Sequence, residues 1–132
     1  MGEKTRCEHR MDRWGNYHDQ LVGNDVVVEY TYHYGRAPRE SISVTVITED
    51  FHVYELDIIG ETLESFCHEH GLLTEELKQQ IINEVKRNAS KMRFEVNEER
   101  LRGASEELRR FVEELKQAYY CSVYPYHHFC RE

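Results

Sequence analysis

The stretch DVVVEYTYHYGRAPRESISVTVITEDFHVYELDII, residues 25–59, decides the fold. In its first third Val26, Val28, Tyr30, Tyr32 and Tyr34 alternate with Val27, Glu29, Thr31 and His33. That is a period of two in residues that favour strands. Gly35-Arg36-Ala37-Pro38 ends this strand. A second strand follows, with Ile42, Val44 and Val46 on one face and Ser41, Ser43 and Thr45 on the other. A third runs from about Phe51 to Ile59.

The loop between the second and third strands fixes which faces match. A two-residue loop would set Val44 against Glu55 and Ile42 against Asp57, mixing acids into an apolar face. A loop of odd length sets Val46 against Tyr54, Val44 against Leu56 and Ile42 against Ile58. One face is then wholly apolar, and Thr45, Glu55, Ser43 and Asp57 share the other. The odd loop is the expectation, giving a three-stranded antiparallel meander whose inner face carries tyrosines and His52.

Beyond Gly60 the period changes. Leu63, Phe66, Cys67 and His70 fall at helical spacing, and Gly71 stands where a left-handed C-terminal cap belongs. Thr74 reads as the N-cap of a second helix with an inward stripe of Leu77, Ile81, Ile82, Val85 and Ala89. Met92, Phe94 and Val96 alternate with Arg93 and Glu95, a short fourth strand. Asn97 or Ser105 caps a last long helix reaching about Tyr120, with Gly103 interrupting its first turn. The order is βββααβα with the helices on one face of the sheet, an α+β fold. Residues 1–24 read as an irregular N-terminal arm anchored by Trp14 and Tyr17. Residues 25–120 form one α+β domain, and 121–132 an aromatic tail rich in Cys and His.

The whole chain has 132 residues, enough for one domain, and a formal charge of −8. No apolar run approaches the length of a membrane span, and Met1-Gly2-Glu3-Lys4-Thr5-Arg6 lacks the apolar stretch of a signal peptide. The expectation is a soluble cytoplasmic protein whose four cysteines are reduced thiols.

Charge is unevenly placed. Between Glu40 and Leu77 there are ten acidic residues and no Lys or Arg. An acidic face of Glu49, Asp50, Glu55, Asp57, Glu61 and Glu64 would repel nucleic acid and attract a protein partner with a basic surface. The bland reading of the same acids is a solvated face.

In the last helix Leu101, Ala104, Leu108, Phe111, Leu115 and Ala118 recur at heptad spacing. Leu101, Leu108, Phe111 and Leu115 would form the seam of a homodimer, or else pack onto the domain itself. Cys121, His127 and Cys130, with Cys7 as a fourth ligand, make a zinc-binding set by residue type, although Cys121 and Cys130 lack the close spacing of a zinc knuckle. No other cofactor is expected. Tyr30, Tyr32, His52 and Tyr54 would line a small-ligand pocket if helices leave that end of the sheet open. Phosphate loops, nucleophile elbows and dinucleotide fingerprints are missing from the sequence, so no catalytic residue is named.

The function expected from these features is a non-enzymatic, acidic interaction module working through protein–protein contacts. The alternatives are an inhibitor that mimics nucleic acid in a basic cleft, a zinc-stabilised regulatory protein, and a small-ligand pocket on the tyrosine face.

Overall fold

A computed structural model of the chain describes residues 3–36, 39–59, 64–125 and 130. Among these residues seven strands, β1 (Arg6–Met11), β2 (Tyr17–Val22), β3 (Val26–Arg36), β4 (Arg39–Thr48), β5 (His52–Ile59), β6 (Glu64–Leu72) and β7 (Met92–Val96), accompany three helices. The helices are α1 (Glu75–Asn88), α2 (Glu98–Gly103) and α3 (Glu106–Val123), and a 3-10 turn at Ala89–Lys91 leads into β7. Strands β3 to β7 form one antiparallel sheet in the order β6-β5-β4-β3-β7, and β1 pairs with β2 in a separate two-stranded sheet. The class is α+β.

The register of β4 on β5 is the one that the odd loop demands. Val46 lies opposite Tyr54, Val44 opposite Leu56, and Ile42 opposite Ile58. Three residues, Glu49 to Phe51, make the turn, and Phe51 closes it in the left-handed region at φ 65°. Its amide is fastened to the Thr48 carbonyl and its carbonyl to the Leu73 amide. Neighbouring tertiary bonds thus hold a conformation that a side chain other than glycine rarely adopts.

Two segments depart from the sequence reading. Residues 64–72 form β6, paired along β5, where a helix is expected. Gly71 does adopt a positive φ, 88°, but beside a register break at Val53/Tyr54 rather than at a helix end. Apolar residues at Phe66, Cys67 and His70 fit a helical period only because the run is short; the open edge of β5 supplies hydrogen bonds that override it. Residues 6–22 form a hairpin where an irregular arm is expected.

The faces of the sheet are covered differently from the expectation as well. Tyr30 opposes Thr45, and Thr45 opposes Glu55. Tyr30 also bonds to Glu84 on α1, so the helices lie over the face that carries Thr45, Ser43, Glu55 and Asp57. The core on this side joins Val28, Tyr30, Ile47 and Val53 to Ile81, Val85, Leu108, Phe111 and Leu115. A bulge between Val26 and Val28 allows consecutive Val27 and Val28 both to be fully buried. On the other face Val46 and Leu56 are buried as well, and there the β1–β2 hairpin packs across β5 and β6.

Helix ends follow their sequence signals. Thr74, Asn97 and Ser105 each accept an amide of the first turn from Leu77, Arg100 and Leu108. Both expected caps of the C-terminal region are therefore used, because the chain breaks into α2 and α3 around Ala104. α3 continues past Tyr120 to Val123.

All four cysteines are paired, Cys7 with Cys67 and Cys121 with Cys130. The expectation of free thiols is thereby overturned. Cys67 lies opposite Leu56 on β6, so its side chain meets the hairpin on the face away from the helices.

Candidate functional site

The β1–β2 hairpin ends in a tightly held turn. Asp12 accepts the amides of Trp14 and Asn16 on Oδ1, both at 2.9 Å, and meets His18 Nε2 with Oδ2 at 2.9 Å. Two backbone bonds, from the Asp12 amide to the Asn16 carbonyl and from the Gly15 amide to the Asp12 carbonyl, complete it. Gly15 takes the φ of +84° that this turn requires. The hydrogen bond from His18, followed by the Asn16 amide, holds the Asp12 carboxyl down at about 2.

This turn presents apolar surface to solvent. Trp14 is 73% exposed, Tyr17 70% and Met11 64%. Met11 and Tyr17 are direct cross-strand partners and so share one face of the hairpin. The Arg13 guanidinium lies 4.5 Å from the centre of the Trp14 ring and orients it. Trp14 and Tyr17 therefore do not anchor an arm to the body as expected; they point away from it. The anchoring is done by Cys7–Cys67 and by the root of the hairpin, where Thr5 bonds to the buried Asp25. The signal for this tip in the sequence is the turn chemistry of Asp12 and Gly15-Asn16 alone, since the flanking segments RCEHRM and YHDQLV do not alternate.

A second concave feature lies between the sheet and α1. A cavity of about 210 Å³ is lined by Tyr30, Thr45, Glu55, His70, Gln80 and Glu84, with Val53, Leu77 and Ile81 as apolar wall. The Tyr30 hydroxyl donates to Glu84 Oε2 at 3.2 Å. Glu55 accepts from the Ser43 hydroxyl at 2.7 Å and meets His70 Nε2 at 3.1 Å. Burial pushes the Glu84 carboxyl above its ordinary range, and it raises the Tyr30 phenol too, with the charge of Glu84 adding to the effect. Four of its polar side chains are already engaged in pairs, Tyr30 with Glu84 and Glu55 with His70.

Of the expected pocket residues only Tyr30 lines this cavity. Tyr32 shares its face, packed at the border of the core. Tyr54 opposes Val46, which places it on the far side of the sheet, and His52 lies on that side with it, its ring 6.2 Å from that of Tyr54. The four residues do not converge, because β3 pairs with β4 in a register that sets Tyr30 against Thr45 rather than Val46.

The expected acidic face is dispersed. Glu49 is bonded to Arg100 at 2.8 Å and Asp50 to Lys4 at 3.1 Å, both at one end of the sheet. Glu64 opposes Ile59 at the other end, roughly 25 Å of strand away. Glu55 and Asp57 face the helix side instead of an outer surface. Glu61 lies outside the described residues.

Leu101, Leu108, Phe111 and Leu115 are all buried within the domain's own core, so the heptad stripe is a packing face and not a seam for a second helix. The proposed zinc ligands are divided. Cys7 is bonded to Cys67 and Cys121 to Cys130, while His127 lies outside the described residues. Among the described residues no group of three or more His, Cys, Asp or Glu side chains is arranged to hold a metal ion. Among them, too, no helix is long and apolar enough to cross a membrane.

Comparison with known proteins returns nothing that shares this arrangement: no family model, no curated protein and no solved structure matches the chain.

Proposed function

We propose that this chain is a non-enzymatic interaction module that docks onto a partner protein through the tip of its N-terminal hairpin. The observation that carries the reading is the exposure of Trp14, Tyr17 and Met11 on a turn that Asp12 holds rigid. Large aromatic side chains and arginine dominate binding energy at protein interfaces, and a preformed loop loses little entropy when it docks. The cleft beside α1 is the weaker candidate, because Glu84, Tyr30, Glu55 and His70 already bond among themselves, whereas the tip's apolar side chains are exposed among the described residues.

The partner class follows from the tip's chemistry. Trp14 and Tyr17 need an apolar pocket, and the Arg13 guanidinium lies against the Trp14 ring, whereas Arg10 is paired with Glu8 and Asp12 is engaged in the turn. A pocket with an acidic rim is the complement, opposite in sign to the basic surface expected from the acidic block. The two disulfides favour an oxidising environment over the cytoplasm.

A photo-crosslinking side chain placed at Trp14, and separately at exposed Glu114 on α3, tests the reading in the native host. The expected result is a discrete cross-linked species from the tip alone, competed away by excess wild-type protein and not by a Trp14→Ala/Tyr17→Ala variant. Identical products from both positions, or competition by the double variant, would refute it.

A further inference from the structure

The strand β7 is one edge of the main sheet, β6 being the other, and no described strand pairs with its outer side. The Asn97 amide donates to the Val27 carbonyl, at 2.8 Å. Counting back along the antiparallel ladder, Glu95 and Arg93 exchange hydrogen bonds with Glu29 and Thr31 of β3. The amides of Met92, Phe94 and Val96 therefore point outward along the free edge. Such an edge is a template for another strand.

The sequence of this edge is complementary to itself. Turned end for end about Phe94, the strand Met-Arg-Phe-Glu-Val sets Arg93 opposite Glu95 of a second copy, and Glu95 opposite its Arg93. Met92 then faces Val96, and Phe94 faces Phe94. The register that aligns the charges is also the one that pairs the outward amides at positions 92, 94 and 96. Arg93 and Glu95 fall at the narrow pairs, where cross-strand side chains lie closest. Both are exposed on the sheet face away from the helices, with side chains 80% and 53% accessible. On the opposite face Phe94 stacks on Tyr119, whose ring meets the half-exposed Tyr120, so the apolar layer continues toward the edge.

We propose that β7 is a self-association edge: two copies of this chain pair antiparallel about Phe94, joining their five-stranded sheets into one of ten strands with two-fold symmetry. Closed two-fold pairing is the commonest form of homo-oligomer, and it removes an exposed edge that otherwise invites aggregation. The surface is separate from the hairpin tip and from the buried stripe of α3. In each monomer Arg93 and Glu95 pair with each other along the strand, and dimerisation exchanges these two contacts, one per copy, for two cross-strand ones.

Charge reversal tests the register. Arg93→Glu alone and Glu95→Arg alone each replace two attractive pairs with two repulsive ones, so each is expected to weaken dimerisation by about tenfold or more in sedimentation equilibrium. An equimolar mixture of the two variants restores it as a heterodimer, and so does the double exchange within one chain. Thermal melts of each variant establish that the monomer remains folded. Hydrogen exchange at the Phe94 and Val96 amides gives a second readout, with protection that rises with protein concentration in the wild type. A wild-type chain that stays monomeric across the dilution series would overturn the proposal. So would a dimer indifferent to all of these exchanges, or edge amides whose protection does not depend on concentration.

Discussion

Thr5 gives both its backbone N–H and its hydroxyl to one oxygen of Asp25, at 2.7 and 2.6 Å. Both residues are buried, and they join the root of the N-terminal hairpin to the start of β3. The amide of Glu49 donates to the Asp25 carbonyl, which ties the β4–β5 turn into the same junction. Asp25→Ala removes the acceptor and leaves two buried donors unpaired, at a cost of about 2–4 kcal/mol. Equilibrium urea denaturation measures it, and hairpin amides should lose hydrogen-exchange protection before those of β3. A change under about 0.5 kcal/mol would show that the junction does not hold the hairpin.

Gly23 lies against the same junction. A Cβ built there would stand 2.5 Å from Thr5 Cα and 2.7 Å from Thr5 N, both backbone atoms, and φ is +147°. Gly23→Ala must therefore shift the strand that enters β1, and a loss of about 1–3 kcal/mol is expected. Gly15→Ala meets no neighbouring atom but keeps the strain of a φ of +84°, so its cost should be about 1 kcal/mol and confined to the tip. Comparing the two melts separates backbone collision from backbone strain.

The Cys7–Cys67 bridge closes a loop of 60 residues and Cys121–Cys130 one of 9. On loop-closure entropy the long bridge contributes about 4 kcal/mol and the short one somewhat under 3. Cys7→Ser/Cys67→Ser should lower stability more than Cys121→Ser/Cys130→Ser and release the hairpin in hydrogen exchange. Alkylation of the native protein followed by mass measurement should find no reactive thiol. Four alkylated cysteines would restore the reduced reading.

Asp12 sets the acid limit of the hairpin turn. Its carboxyl falls from an unfolded value near 3.9 to about 2 in the folded turn, so folding favours its charged form. That stabilisation is fully present above about pH 4 and is lost as pH falls through about 2. Carboxyl chemical shifts should give a midpoint near 2 in the wild type and a higher one in His18→Ala. A midpoint near 3.9 in both proteins would mean that the turn is not held by this carboxylate.

Leu108 and Phe111 are fully enclosed between α1, α3 and the sheet. Leu108→Ala and Phe111→Ala should each cost about 3–5 kcal/mol of folding free energy through the cavity that remains. Near-wild-type melting in either variant would place the stripe at an interface instead of in the core. Lys78 is a milder case. Its burial opposes the charge, yet hydrogen bonds to Glu75 and Glu107 hold its ammonium above the usual lysine range, 5.9 Å from the rings of Phe51 and Phe111.

Much of the fold is legible locally. The alternation over residues 25–59 determines three strands, and the clash of Glu55 and Asp57 with an apolar face determines their register, because a slip of one residue inverts every side chain. Thr74, Asn97 and Ser105 mark helix starts through short-range hydrogen bonds that the neighbouring residues specify. What the tertiary structure decided is everything that depends on partners distant in the chain. Residues 64–72 become a strand because β5 offers an unpaired edge, and Gly71's positive φ serves a bulge in place of a helix cap. The apolar face of Val46 and Leu56 is covered by a hairpin from the N-terminus, which leaves the helices to the face of Thr45 and Glu55. Periodicity states that a face must be buried, not by what. Only the three-dimensional junction of Thr5, Asp25, Cys7 and Cys67 brings the hairpin there and leaves Trp14 and Tyr17 outside.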